Sequence, residues 1–410
     1  MMARAKPGNP RRRFAWASSL VFFLLLALPF VAQVTGFDDR GSTAENRSLA
    51  PAPAWPDNWA GLLALPRQTD AWLRDHFGFR VALVRANSRI RYALFHEAPT
   101  RQVLFGKGNR LFLSGRDESH PYSVIAKICG IDGSDAEVEA AAAGVRTLLR
   151  AADADAPGAV FVAVPSAPAI YAEDLPDWLA RQCARPSSIE RIVRRLDADP
   201  ALAARVIYPI DALIAAKQTG RVIPLYNFHW SGRGARVAAE VIAGQLPGSR
   251  RAIDIPTLEQ LAPSDLSNMV PGLNLSDRVV VPDYAAASLV YCYARPECLP
   301  GLGASVATVI GDYSRTLSPR SGSRRLLLLT DSYGSFIAPW FAAWFGEVRH
   351  ISTNTIGLLS AAERATLREN LFRRYHPDSV IFLYHDGAVS DSPGRVAALL
   401  WPAPAVASAR

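Results

Sequence analysis

Sulfur and charge are both scarce in this chain. Its 410 residues include four cysteines and three methionines, and only 20% are charged. The cysteine spacing is not that of a zinc site, so no metal ligand set is expected and no cofactor is called for. No internal repeat and no long polar low-complexity tract occurs, which excludes wholesale disorder. Nor is there a sustained basic surface. The net charge is +8, but Arg4, Lys6, Arg11, Arg12 and Arg13 lie in the first 34 residues, with no acid among them. The remainder is close to neutral, and nucleic acid is excluded as a partner. What the chain does have is apolar mass: half its residues are hydrophobic, enough for a large core.

The N-terminus is patterned for export. Arg11–Arg13 precede an apolar run, Phe14 to Val34, that contains no charge. About 20 apolar residues suffice to span a bilayer, and a basic flank keeps its own side cytoplasmic. The reading is a cytoplasmic tail over 1–13, a transmembrane signal anchor over 14–34 and a linker over 35–60. The protein is then single-pass in the inner membrane, with its bulk in the periplasm. The alternative is a cleaved signal peptide, with Val31-Ala32-Gln33 as a weak cleavage context. An even cysteine count in an exported chain permits disulfides. Cys292–Cys298 would staple a short loop around Pro296, and Cys129–Cys183 is the remaining pair.

Residues 61–98 carry helical spacing, and α/β alternation begins at Val103. Two short apolar runs flank Gly108-Asn109, which suits a hairpin. Residues 134–152 read as a capped helix, and Val160–Val164 as a strand buried on both faces. Val206–Ile210 is a short strand, 232–245 a helix, Arg325–Leu329 the strongest buried strand, 335–345 a helix, and Ser379–Tyr384 the last strand. Residues 262–320, rich in Ser, Gly and Pro, read as a loop-rich insertion. Strands alternating with helices imply a mostly parallel sheet covered on both faces, with ligands at the carboxyl ends of its strands.

Two segments carry the chemistry. Thr330-Asp331-Ser332-Tyr333-Gly334 follows the strongest strand and leads into a helix. A serine there presents its hydroxyl at the sheet edge, beside helix N–H groups that can hold an oxyanion. The plainer reading is that Asp331 or Ser332 only caps the helix. Asn227-Phe228-His229-Trp230 also precedes a helix, and His229 there is a candidate general base. A lone histidine is more often structural. Together they make a pair, because a serine hydroxyl needs a base within hydrogen-bond reach.

These motifs resemble those of the alginate O-acetyltransferase family of the AlgJ/AlgX type, permuted SGNH-hydrolase-like proteins that acetylate exopolysaccharides in the periplasm. The resemblance covers most of residues 60–385. Asp75-His76-Phe77-Gly78-Phe79-Arg80, Val103 through Phe112, Val164-Pro165-Ser166 and Leu175-Pro176 match successive blocks of the family. Asn227-Phe228-His229-Trp230 stands where the family has Asp-x-His-Trp, and Thr330-Asp331-Ser332-Tyr333 where it has Gly-Asp-Ser-Phe. The His block precedes the Ser block, as in the permuted family.

The resemblance implies one SGNH-like O-acetyltransferase domain over 61–405, with Ser332 as nucleophile and His229 as base. It places Asn227 where the family has the triad aspartate, with Asp211 and Asp386 as carboxylates that would have to substitute. Asp331, Tyr333, Trp230 and Asn354 are its oxyanion or substrate candidates, together with the Ser332 N–H. The implied partners are an exopolysaccharide acceptor and a multi-spanning membrane O-acyltransferase that supplies acetyl groups. With Asn227 in the triad, two alternatives stand beside the acetyltransferase: a catalytically impaired scaffold or polysaccharide-binding subunit of a secretion complex, and a carbohydrate esterase.

Overall fold

A computed structural model describes residues 10–35, 48–115, 123–131, 133–183 and 186–402. Residues 1–9 of the basic tail, 36–47 of the linker and 403–410 lie outside the described residues. The chain forms two compact units, one made of its first 99 residues plus 267–274 and the other of 100–266 plus the rest.

The first unit is helical: α1 (Pro10–Val34), α2 (Trp59–Asp75) and α3 (Arg80–Phe95). Asn58 caps α2 by accepting the Gly61 N–H at 2.9 Å, which satisfies one of the orphan donors of a first turn. The expected spanning helix is not borne out: among the described residues no helix is long and apolar enough to cross a membrane. The helix that forms takes Arg11–Arg13 into its start and contains Pro29. Gly78 lies so close to the Pro29 carbonyl and the Ala32 side chain that a Cβ there would collide with both.

The second unit is built on a seven-stranded sheet. Its strands come from β1 to β11 in chain order: β1 (Val103–Phe105) and β2 (Leu111–Leu113) form a small hairpin, β3 (Val160–Val164) and β4 (Val206–Ile207) enter the main sheet, and β5 (Thr257–Pro263) and β6 (Ser276–Pro282) pair only with each other. The rest of the main sheet is β7 (Val290–Tyr293), β8 (Tyr313–Leu317), β9 (Arg325–Thr330), β10 (Glu347–Ser352) and β11 (Ser379–His385), in the spatial order β4-β3-β11-β9-β10-β8-β7. Pairing is parallel from β4 through β10 and antiparallel for β8 and β7. The sheet is thus mostly parallel.

Burial on both faces explains the unbroken apolar strands. Leu327 and Leu329 of β9 point into a core shared with α4 (Asp135–Ala152), α5 (Ser188–Asp197) and α7 (Ser392–Leu400). Leu326 and Leu328 point the other way by the two-residue alternation, toward the side of α6 (Gly232–Gln245). Ser134 with Glu137, and Ser187 with Glu190, form capping boxes that start α4 and α5. After β9 the helix is shorter than its spacing predicts: Gly334–Ile337 is α-helical and Ala338–Ala343 tightens to a 3-10 turn. Pro339 lacks the N–H a continuing α-helix needs.

The segment 262–320 is more ordered than its composition suggests. It holds β6, β7 and β8, whose Ser, Thr and Arg positions hide the strand signal. Both cysteine pairs are bonded, Cys129–Cys183 and Cys292–Cys298.

β9 sits at the topological switch of the sheet. Its successor β10 lies on one side, and the chain then crosses back to place β11 on the other. Open α/β sheets form their ligand crevice at that point, beyond the carboxyl ends. Ser332 follows β9 by two residues.

Candidate active site

The turn after β9 is held from several sides. The Asp331 N–H donates to the Leu383 carbonyl of β11, and the Tyr333 N–H donates to Asp331 Oδ1 at 2.9 Å. Gly334 is required by close approach: a Cβ there would overlap the Thr330 hydroxyl and the His350 ring. That ring is buried and bonded to Thr330 Oγ1 through Nε2 at 2.7 Å, and burial drops its pKa to about 3 against a smaller opposing pull from Asp331. It is a neutral strut beneath the turn. Ser332 stands above it, and its backbone N–H makes no hydrogen bond among the described residues.

The histidine loop is stitched to the β5–β6 hairpin. Asp277 accepts the Leu225 N–H, and the Ser264 hydroxyl donates to the Tyr226 carbonyl. At the start of α6, Gly232 meets the Val280 carbonyl of β6 and the Trp340 ring so closely that no side chain fits. Trp230 is buried and donates its indole N–H to the Tyr333 carbonyl at 3.2 Å, tying this loop to the serine turn. The Tyr333 hydroxyl closes the same link from the other side by donating to the Phe228 carbonyl at 2.6 Å.

These ties bring His229 Nε2 to 2.8 Å from Ser332 Oγ. The other ring nitrogen, Nδ1, lies 2.6 Å from Asp265 Oδ2. Asp265 also accepts the backbone N–H groups of Phe228 and His229, at 2.9 and 3.0 Å. With Nδ1–H donated to this carboxylate, Nε2 presents its lone pair to the serine O–H. Phe336 stacks on the imidazole with ring centroids 5.0 Å apart, and Tyr333 lies 4.9 Å from it. The arrangement is a serine–histidine–aspartate chain at a sheet edge. Such a chain can deprotonate the hydroxyl, stabilise the imidazolium that results and return the proton to a leaving group.

The acid is therefore not at position 227. Asn227 is buried, and its Oδ1 has no hydrogen-bond partner. The carboxylate comes instead from the loop that ends β5, 36 residues downstream of His229. Neither named substitute serves. Asp211 is exposed and lines a separate cavity of about 240 Å³ that includes neither Ser332 nor His229. Asp386 accepts the Ser166 hydroxyl at 2.6 Å and its N–H at 3.0 Å, and burial raises its pKa.

The remaining candidates are structural or peripheral. Asp331 binds His385, accepting its backbone N–H at 2.7 Å and its Nδ1–H at 2.8 Å. Tyr333 and Trp230 spend their polar groups on the two loops. Asn354 is exposed beyond β10, and its N–H makes only a 3.5 Å contact to Ser352. Asp265 is the residue that the motifs miss. Pro263-Ser264-Asp265 has no periodicity, and nothing separates it in sequence from Asp277 or Asp283 nearby.

No family model and no curated relative matches the chain. Solved structures do. The O-acetyltransferase domain of Pseudomonas putida AlgJ is 18% identical, with a TM-score of 0.45 over 73% of this chain and 98% of that one. Bacillus cereus PatB1 is 13% identical, with a TM-score of 0.46 over 71% and 98%. Pseudomonas aeruginosa AlgX is 13% identical, with a TM-score of 0.41 over 70% and 67%.

Proposed function

We propose that this protein is an O-acyltransferase that moves an acetyl group onto a polysaccharide hydroxyl through an acyl-enzyme. The observation that carries this reading is the hydrogen-bonded chain Ser332–His229–Asp265 at the switch point of the sheet. In the first step the Ser332 proton passes to His229 Nε2 and Oγ attacks the donor's carbonyl carbon. The proton on Nε2 then goes to the departing group. In the second step a sugar hydroxyl gives its proton to Nε2 and attacks the acetyl carbonyl. Oγ departs and takes the proton back. Asp265 holds the tautomer and offsets the imidazolium charge in both steps. The unbonded Ser332 N–H is an oxyanion donor suited to each tetrahedral intermediate.

Exopolysaccharide is the acceptor class we favour, and export to the periplasm is the location. Two disulfides support an oxidising compartment. An acetyl donor made inside the cell then needs a multi-spanning O-acyltransferase partner to bring it across. With Asp265 in contact with His229, Asn227 no longer favours an impaired scaffold. A serine-directed sulfonyl fluoride tests the reading. Labelling should map to Ser332 in the wild type and vanish in Ser332→Ala; equal labelling of both would sink the nucleophile. Transfer is separated from hydrolysis by whether acetate or acetylated sugar accumulates.

A further inference from the structure

The edge that carries Ser332 holds a second group of side chains that the triad does not use. β8 runs antiparallel to β10, so its first residues lie at that edge. Tyr313 pairs with Ile351 of β10, and Ser352 of β10 pairs with Thr330 of β9. The Ser352 N–H donates to the Asp312 carbonyl at 2.9 Å. Asp312, Ser352 and Thr330 thus stand in a row across the strands. At a strand spacing of ~4.8 Å, the Asp312 backbone lies about 10 Å from the turn that carries Ser332. A bound sugar bridges such a separation.

The Asp312 carboxylate is under-used. Tyr293 Oη donates to its Oδ1 at 3.3 Å, and no other hydrogen bond reaches it among the described residues. An ionised carboxylate has about four acceptor positions, and one in a half-buried setting is costly to leave unpaired. Tyrosines flank it. Tyr291 and Tyr293 share one face of β7, and Tyr284 stacks on Tyr291 with ring centroids 4.6 Å apart. Tyr293 remains 44% exposed. Cys292, between the two tyrosines, is bonded to Cys298 and pins the strand.

We propose that Asp312, Tyr293 and Tyr291 form the acceptor subsite, where a neutral sugar ring rests on the tyrosines and hydrogen-bonds through its hydroxyls to Asp312. This orients a neighbouring hydroxyl toward acetyl-Ser332, and it rests on the acyl-transfer reading above. Aromatic faces suit the apolar side of a sugar ring, and a carboxylate suits a pair of hydroxyl donors. Burial raises the Asp312 pKa to about 6, Asp331 adds to the rise, and the Tyr293 hydrogen bond and His229 oppose it. It is ionised at neutral pH and repels an acidic polymer. Neutral sugars are therefore the class selected.

Two readouts on the full chain separate this subsite from the triad. The burst of nitrophenol from 4-nitrophenyl acetate reports acetylation of Ser332. Acetyl transfer to cellopentaose, xylopentaose and chitopentaose, against a uronic-acid pentamer, reports acceptor use. Asp312→Asn should lower kcat/KM for the neutral acceptor about 10- to 100-fold, mostly through KM, a far larger loss than any change in the burst. Asp312→Glu should recover part of the loss, and Tyr293→Phe should lose less. Unchanged transfer in Asp312→Asn overturns the subsite. So does a wild type that shows the burst but accepts only the uronic pentamer, or none of the sugars. A wild type with no burst overturns the acyl-transfer reading instead.

Discussion

Two aspartate–histidine pairs lie at the same sheet edge, and their local geometry is nearly the same. Asp265 takes the Nδ1 of His229 at 2.6 Å and Asp331 takes that of His385 at 2.8 Å. Each aspartate also accepts the backbone N–H of its histidine. The two imidazoles are equally accessible, 16% and 17%. They differ in what meets the other nitrogen. His229 Nε2 faces the Ser332 hydroxyl, whereas His385 Nε2 has no hydrogen-bond partner among the described residues. The aspartates differ too, Asp265 at 20% exposure and Asp331 at 5%. An oriented imidazole is therefore not by itself an active site. The same pairing faces a serine hydroxyl in one place and braces β9 against β11 in the other.

The contrast breaks most sharply at the histidines. His229→Ala should cut esterase turnover by about 10⁴-fold or more, while His385→Ala leaves folded enzyme within an order of magnitude. Steady-state kinetics on 4-nitrophenyl acetate measures both, and equal losses would erase the distinction. At Asp331 the larger effect is on stability. Removing one partner of a buried pair strands the other, so Asp331→Asn should lower the unfolding free energy by about 3–5 kcal/mol in a denaturant titration. Asp265→Asn, more exposed, should lower it far less.

The pH dependence sharpens the difference further. Burial alone would raise Asp331, but the hydrogen bonds and charge of His385 outweigh it and hold the carboxyl below 3.8. Its stabilisation is present above 3.8 and is lost as pH falls through the lower folded value. Burial would lower His385, but Asp331 reverses this and lifts it above 6.5. That stabilisation is complete below 6.5 and is lost as pH rises through the folded value. The melting-temperature gap between wild type and Asp331→Asn should be widest between pH 3.8 and 6.5 and close on either side. A gap independent of pH would mean that the pair carries no charge interaction.

Much of this is legible in residues 325–334, where apolar strand, turn and helix succeed each other within ten residues, and in 226–234, where a histidine-bearing loop runs into a helix. Local pattern suffices there because β9 is buried on both faces and Gly232 and Gly334 mark close backbone approaches. Asp265 was not legible, since a triad acid is defined by contact and not by spacing. It is delivered by an exposed hairpin whose strands, Thr257–Pro263 and Ser276–Pro282, carry a weak apolar alternation. Position 227 looked decisive because it is adjacent in sequence, yet its side chain turns into a buried site without a partner. The apolar N-terminal run reads as a membrane span from composition, whereas among the described residues no helix is long and apolar enough to cross a membrane.

The central claim is that Asp265, and not residue 227, completes the triad. The rate of Ser332 acetylation in a single turnover, compared between Asp265→Asn and Asn227→Ala, tests it most directly. The structure predicts a loss of about 10⁴-fold in the first and nearly wild-type acetylation in folded protein for the second. Acetylation that survives Asp265→Asn and collapses in Asn227→Ala would contradict it.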